Sequence, residues 1–248
     1  MNFGARLSVS VMAALLFAMP SASAASIKLV VLDIGGTLIQ DHNEVPTALM
    51  SALGKEHIPV TAAEISDWRG ASKKGMIRHF VERTMKHSAA SEKLVDKINA
   101  DFNAQASKAY ADVQPIAGAE DALKQMKAEG LMLATTTGFG RQLEDQVIKH
   151  LGWEKYFTVT ISSDDVVDGR PAPYMIYHAM EAAHVNDVKD VVVVGDTPLD
   201  LQAANNSGAK GSIGVWSGAA TKEKLEKEKY SQLLPSVASL PELLKKSY

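Results

Sequence analysis

The chain contains no cysteine, which excludes disulfides and thiolate metal sites and leaves an oxidising compartment permitted without being required. It also lacks a cationic excess, since 26 basic side chains face 29 acidic ones for a formal charge of -3. No broad positive field draws in a phosphate backbone, so no nucleic-acid partner is expected. No apolar run reaches the roughly 18 residues of a membrane span. No internal repeat or low-complexity segment is visible beyond the first residues. The seven histidines show no metal-ligand spacing, and Trp68, Trp153 and Trp216 read as packing residues.

What is present is an ordinary globular composition: 248 residues with 46% hydrophobic content bury a real core as one large domain or one domain carrying an insertion. The beginning differs. Arg6 is the only charge before Lys28, Val9 to Met19 is almost wholly apolar, and Ala22-Ser23-Ala24 has the small-x-small form that a signal peptidase cuts after. Residues 1–24 are therefore expected to be a secretory signal cleaved near Ala24. The mature protein is then periplasmic or secreted, with no membrane attachment after cleavage.

Beyond the signal, short β-rich runs alternate with helical-period segments. Strands are expected at Ile27 to Leu32, Leu131 to Thr135, Phe157 to Ile161, Val191 to Val194 and Gly211 to Val215. Most are unbroken apolar runs, as parallel strands covered on both faces require. Gly130, Gly152 and Gly208 each follow a periodic segment and read as helix C-caps. The lysine-rich stretch "TKEKLEKEKY" reads as a solvated helix face. The pattern is α/β, a doubly wound Rossmann-like parallel sheet. Residues 42–113 break the rhythm with helical patterns only, such as "KKGMIRHFVERTMK", and are expected to be an all-helical cap inserted into a core formed by residues 25–41 and 114–248.

Ligands of an open parallel sheet bind outside the carboxyl ends of its strands. Polar residues cluster there. Asp33 ends the first strand, Thr136 and Thr137 follow the second, Arg170 comes after the third, and Asp196 ends the fourth with Asp200 beyond it. Singly, Asp33 could be a helix N-cap and Asp196 a turn residue; together they suit phosphoryl transfer. Asp33 is the expected nucleophile, forming an aspartyl-phosphate that water cleaves. Gly35 and Gly36, leading into Thr37, are expected to bring backbone N–H groups close to a phosphate oxygen. Thr136, Thr137 and Gly138 are expected to hold a second oxygen, and Arg170 the phosphoryl charge. Asp33, Asp196 and the Gly35 carbonyl are hard oxygen ligands suited to Mg²⁺, with Asp200 in a supporting position.

"DIGGT", "TTG", "DGRPAP" and "GDTPLD" resemble, in order and position, the four motifs of the haloacid dehalogenase superfamily, over nearly all of the mature chain. That resemblance implies a Mg²⁺-dependent hydrolase with a cap that closes over the site. Most phosphatases of the superfamily carry a second aspartate two residues after the nucleophile, where this chain has Gly35. The phosphonatase branch also lacks it. There a cap lysine forms a Schiff base with the substrate aldehyde before the carbon-phosphorus bond breaks. "DGRPAP", and "GASKK" with Lys73 in the lysine's place, are similar to that branch. The branch also has a histidine three residues after the lysine and a tyrosine after "TTG", where this chain has Met76 and Phe139. Arg69, Lys74 and Arg78 stand near Lys73 in sequence and would lower its pKa if they converge in space. The resemblance implies a small phosphonate or phosphate substrate. Two alternatives stay open: a phosphatase of small phosphate monoesters, similar to phosphoglycolate phosphatases, and a catalytically silent phosphate-binding or partner-binding protein. The oligomeric state is not legible.

Overall fold

The structure, a computed structural model, describes Met1 and residues 27–248. The expected secretory signal and its cleavage site lie outside the described residues. Strand β1 (Leu29–Leu32) is followed by four helices with no strand among them: α1 (Glu44–Lys55), α2 (Ala62–Asp67), α3 (Lys73–Glu82) and α4 (Ala89–Ala109). Then come α5 (Ala119–Ala128), β2 (Met132–Thr136), α6 (Arg141–His150), β3 (Val159–Ile161), α7 (Tyr174–Ala182) and β4 (Val191–Gly195). The chain ends with α8 (Pro198–Ser207), β5 (Gly211–Val215), α9 (Lys222–Leu225), β6 (Gln232–Leu234) and α10 (Leu240–Ser247).

The strands form one parallel sheet in the order β3-β2-β1-β4-β5-β6. Val31 in the centre pairs with Ala134 on one side and Val193 on the other. Alternation sends Val30, Leu32, Val192 and Val194 to a layer with α5, α6 and α10, and Leu29, Val31, Val191 and Val193 to a layer with α7 and α8. Each such side chain contributes roughly 1.5–3 kcal/mol over its exposed state, so the strands that end at Asp33 and Asp196 are firmly held. From β1 the chain runs outward to β2 and β3 and then returns to the opposite side at β4. The order therefore reverses between β1 and β4, which opens a crevice at their carboxyl ends.

Local signals set several element ends. Gly130, Gly152 and Gly208 have φ of 84, 64 and 78°, the left-handed caps expected of them. Thr61 and Glu64 cap α2 reciprocally. The Ser72 hydroxyl accepts the Gly75 N–H at 3.2 Å, which starts α3 at Lys73. Two sequence expectations differ from the structure. The lysine-rich stretch forms only the four-residue α9, anchored by buried Leu225, because nothing else in it is apolar enough to hold a longer helix. The sheet also has a sixth strand, the half-exposed edge segment Gln232–Leu234, too short to show alternation.

Candidate active site

Asp33 extends β1 by one residue, its N–H donating to Val194 O at 2.9 Å. Its Oδ1 accepts from Arg170 Nη1 at 2.7 Å, and the same nitrogen lies 2.8 Å from Asp200 Oδ1. Arg170 Nη2 donates to the Thr136 carbonyl at 2.6 Å and its hydroxyl at 2.9 Å. The guanidinium thus stands behind the carboxylate and joins the ends of β1 and β2 to the start of α8. Asp33 is only 5% exposed. Burial pushes its carboxyl up to about 6, against the opposing charge of Arg170.

Carboxylate oxygens of Asp33, Asp196 and Asp200 lie within 4.8 Å of one another, all buried. Asp196 Oδ2 accepts the Ala219 N–H at 2.6 Å, while burial and the Asp33 charge hold its carboxyl well above the usual range. Asp200 Oδ2 takes the Thr197 N–H at 3.0 Å and its hydroxyl at 2.6 Å. Of these three buried acids, Asp33 and Asp200 contact the Arg170 guanidinium and Asp196 contacts no cation among the described residues, a deficit of positive charge in a cluster of hard oxygens. That donor set fits Mg²⁺. Glycine at 36 makes the approach possible: at φ +76° a Cβ there would lie 2.3 Å from Asp196 Oδ2.

The loop after Asp33 takes Gly36 and Thr37 out of the expected phosphate cradle. The Gly36 N–H donates to Ile39 O at 2.9 Å and the Thr37 N–H to Ile34 O at 3.3 Å, so both amides are spent inside the turn. The Thr37 hydroxyl is sealed in without a partner. Of residues 34–37, Gly35 alone lines the cavity. Thr136 is likewise committed to Arg170, and the Thr137 N–H to Ile161 O at 3.0 Å. Thr137 and Gly138 do line the cavity, whereas Arg170 does not.

That cavity has a volume of about 50 Å³, room for a few water-sized groups. Asp33 and Lys73 share its wall with Asp41, Arg69 and Tyr110. Lys73 is 6% exposed and its Nζ donates to Ala71 O at 2.8 Å. Burial brings its pKa down to about 8; Arg170 assists and Asp33 opposes. The neighbours in sequence are not among the main causes. Lys74 pairs with Asp96, Arg78 with Glu92 and Arg69 with Asp41. Gly138 lets the insertion sit this close, since a Cβ there would be 2.4 Å from Ala71 O and 2.9 Å from Lys73 Nζ.

Sequence reasoning missed three groups. The Ala219 N–H follows β5, and the strand-end rule applied to a fifth strand finds it. Asp41 lies in the turn leading out of the core, and Tyr110 closes α4 where its pattern reads as core. Neither carries a local signal.

Fold and site together define a class: a doubly wound α/β protein with an aspartate, an arginine and an acidic cluster at the topological switch point beneath a helical insertion. The chain belongs to the haloacid dehalogenase-like hydrolase family, which matches residues 30–214. It is 31% identical to a phosphonoacetaldehyde hydrolase of Bacillus cytotoxicus over 137 residues, 54% of this chain and 51% of that one. The match thus spans about half the length of that relative. It is 27% identical to a phosphoglycolate phosphatase of Neisseria meningitidis over 225 residues, 88% of this chain and 92% of the other. A phosphonoacetaldehyde hydrolase like protein of Oleispira antarctica superposes with a TM-score of 0.76 at 21% identity, covering 98% of this chain and 99% of its own.

Proposed function

We propose that this protein hydrolyses a small phosphonate bearing a carbonyl group, with Asp33 as the phosphoryl acceptor and Lys73 as the imine-forming amine. One observation carries the reading: the Lys73 amine, with its pKa brought down to about 8 by burial, lines the same small cavity as Asp33. Near neutral pH a useful fraction of it is the free base. Its nitrogen adds to the carbonyl carbon and water leaves, giving a protonated imine. The Asp33 carboxylate then bonds to phosphorus while the carbon-phosphorus pair moves into the imine, leaving an enamine and an aspartyl-phosphate. Water cleaves the latter to phosphate and releases a proton, the enamine carbon takes up one proton to become an imine again, and a second water hydrolyses that imine to the product aldehyde and free Lys73. Because the imine accepts the pair, no acid at position 35 is required. A divalent cation held by Asp33, Gly35, Asp196 and Asp200 would supply the charge neutralisation that lets one anion approach another. Arg170 keeps the Asp33 carboxylate aimed. The helical insertion acts as the lid, and the export signal makes this a reaction outside the cytoplasm.

Reduction with borohydride in the presence of a two-carbon aldehyde phosphonate is expected to leave a covalent adduct on Lys73 and none in Lys73→Arg. Normal phosphonate turnover by Lys73→Arg would overturn the imine. A second reading, hydrolysis of a small phosphate monoester, is favoured by the phosphoglycolate phosphatase relative, which is matched over 92% of its length. It predicts ester turnover that Lys73→Arg retains and no trapped adduct.

A further inference from the structure

Tyr110 caps the C-terminus of α4, with its N–H donating to Ala106 O at 2.9 Å. It is 1% exposed, and its ring packs on Phe139 with centroids 5.3 Å apart. A buried tyrosine hydroxyl normally finds a partner, as that of Tyr156 does in Glu120 at 2.7 Å. The Tyr110 hydroxyl has none among the described residues. Nor is its oxygen among the sealed unpaired atoms, which are Thr37 Oγ1, Ser107 Oγ and Glu144 Oε2. It therefore opens onto a void, and the void that Tyr110 lines is the one holding Asp33 and Lys73. The other side-chain donors of the wall already have partners, with Lys73 on Ala71 O, Arg69 on Asp41 and Asn43, and Thr197 Oγ1 on Asp200, while the Thr137 hydroxyl accepts the Phe139 N–H. Burial and the charges of Asp41, Glu44 and Asp33 keep the phenol protonated, so it meets a ligand as a donor.

We propose that Tyr110 is the acid of imine formation, holding the substrate's carbonyl oxygen and giving it the proton with which it leaves as water. The inference rests on the imine reading above. As the Lys73 nitrogen bonds to the carbonyl carbon, the π pair moves to oxygen and takes the Tyr110 proton. The surplus proton on nitrogen returns to the phenolate. The nitrogen lone pair then expels the oxygen, which takes the Tyr110 proton a second time, and water departs. The phenolate recovers that proton from the water that later hydrolyses the imine, so Tyr110 ends the cycle unchanged.

The test follows the rate of borohydride trapping with a two-carbon aldehyde phosphonate across pH, in wild type and Tyr110→Phe. Wild type is expected to speed up as Lys73 loses its proton and to level off near pH 8. A positioned acid is worth on the order of 100-fold, so Tyr110→Phe is slower by about that factor. It also loses the rise, because hydronium now supplies the proton and its decline cancels the gain in free amine. The charged groups around Lys73, namely Asp33, Asp41, Arg69 and Asp196 in the cavity wall and Arg170 and Asp200 behind it, are the same in both proteins. The thermal midpoint of Tyr110→Phe is expected to be equal or higher, since the lost hydroxyl had no partner. An unchanged rate, a slower rate with the wild-type profile, or a lowered midpoint would overturn the assignment while the imine stands. Absence of any adduct on wild type would remove both.

Discussion

Replacing Asp33 by Asn is expected to stabilise the metal-free protein at neutral pH while abolishing its turnover. The folded protein holds the Asp33 carboxyl at about 6, against 3.8 for the free group. At ~1.4 kcal/mol per unit, ionised Asp33 costs the native state about 3 kcal/mol. The pKa is raised on folding, so its contribution is fully present below about 3.8 and is lost as the pH rises through about 6. Asn stays neutral at every pH, and its carbonyl oxygen can still accept from Arg170. In chelator at pH 7.5 the variant should melt ~6–12 °C above wild type, taking ~2–4 °C per kcal/mol for a chain of this size. The gap should shrink toward pH 4. Added Mg²⁺ should raise the wild-type midpoint and leave the variant's unmoved, since the cation loses a ligand. Scanning calorimetry reads all three effects. A variant that melts below wild type in chelator at pH 7.5, or a gap indifferent to pH, would refute the reasoning.

Other perturbations test the remaining parts of the site. Arg170→Met leaves Asp33 and Asp200 without their contacting cation and should cost ~3–5 kcal/mol in urea unfolding at pH 7.5, and less at pH 5, below the raised pKa of Asp33. In Gly138→Ala the new Cβ must displace Ala71 O from 2.4 Å. At least a tenfold fall in kcat/KM is expected, with faster proteolysis of the insertion and an unchanged core by circular dichroism. Thr37→Val removes a sealed, unpaired hydroxyl and should hold or raise the melting point with KM unchanged; a raised KM would restore Thr37 to the substrate.

The centre of the molecule was legible because apolar runs such as Val191 to Val194 have no other home than a parallel sheet covered on both faces. Strand-end polarity then located Asp33, Asp196 and Asp200. The electrostatics behind the wall were less legible. That Arg170 grips Asp33 and Thr136 instead of lining the cavity follows from how the loop before α7 folds across the ends of β1 and β2 to the start of α8, a non-local fact. Thr37 and Gly36 carry the residue types of a phosphate cradle, but the turn consumes their amides. Lys73 owes its lowered pKa to burial rather than to its basic neighbours in sequence, each of which finds an acidic partner on another element. Tyr110 follows the apolar rhythm of α4, and only the packing of that helix against the loop after β2 brings its hydroxyl to the site.

The central claim is that Asp33 itself receives the phosphoryl group. Rapid quenching of a single turnover in acid, followed by mass spectrometry of the peptide containing Asp33, tests it most directly. The account predicts a transient phosphoryl adduct on that carboxylate, absent from Asp33→Asn and absent in chelator. Phosphate released at full yield in the first turnover, with Asp33 unmodified at every time point, would contradict it.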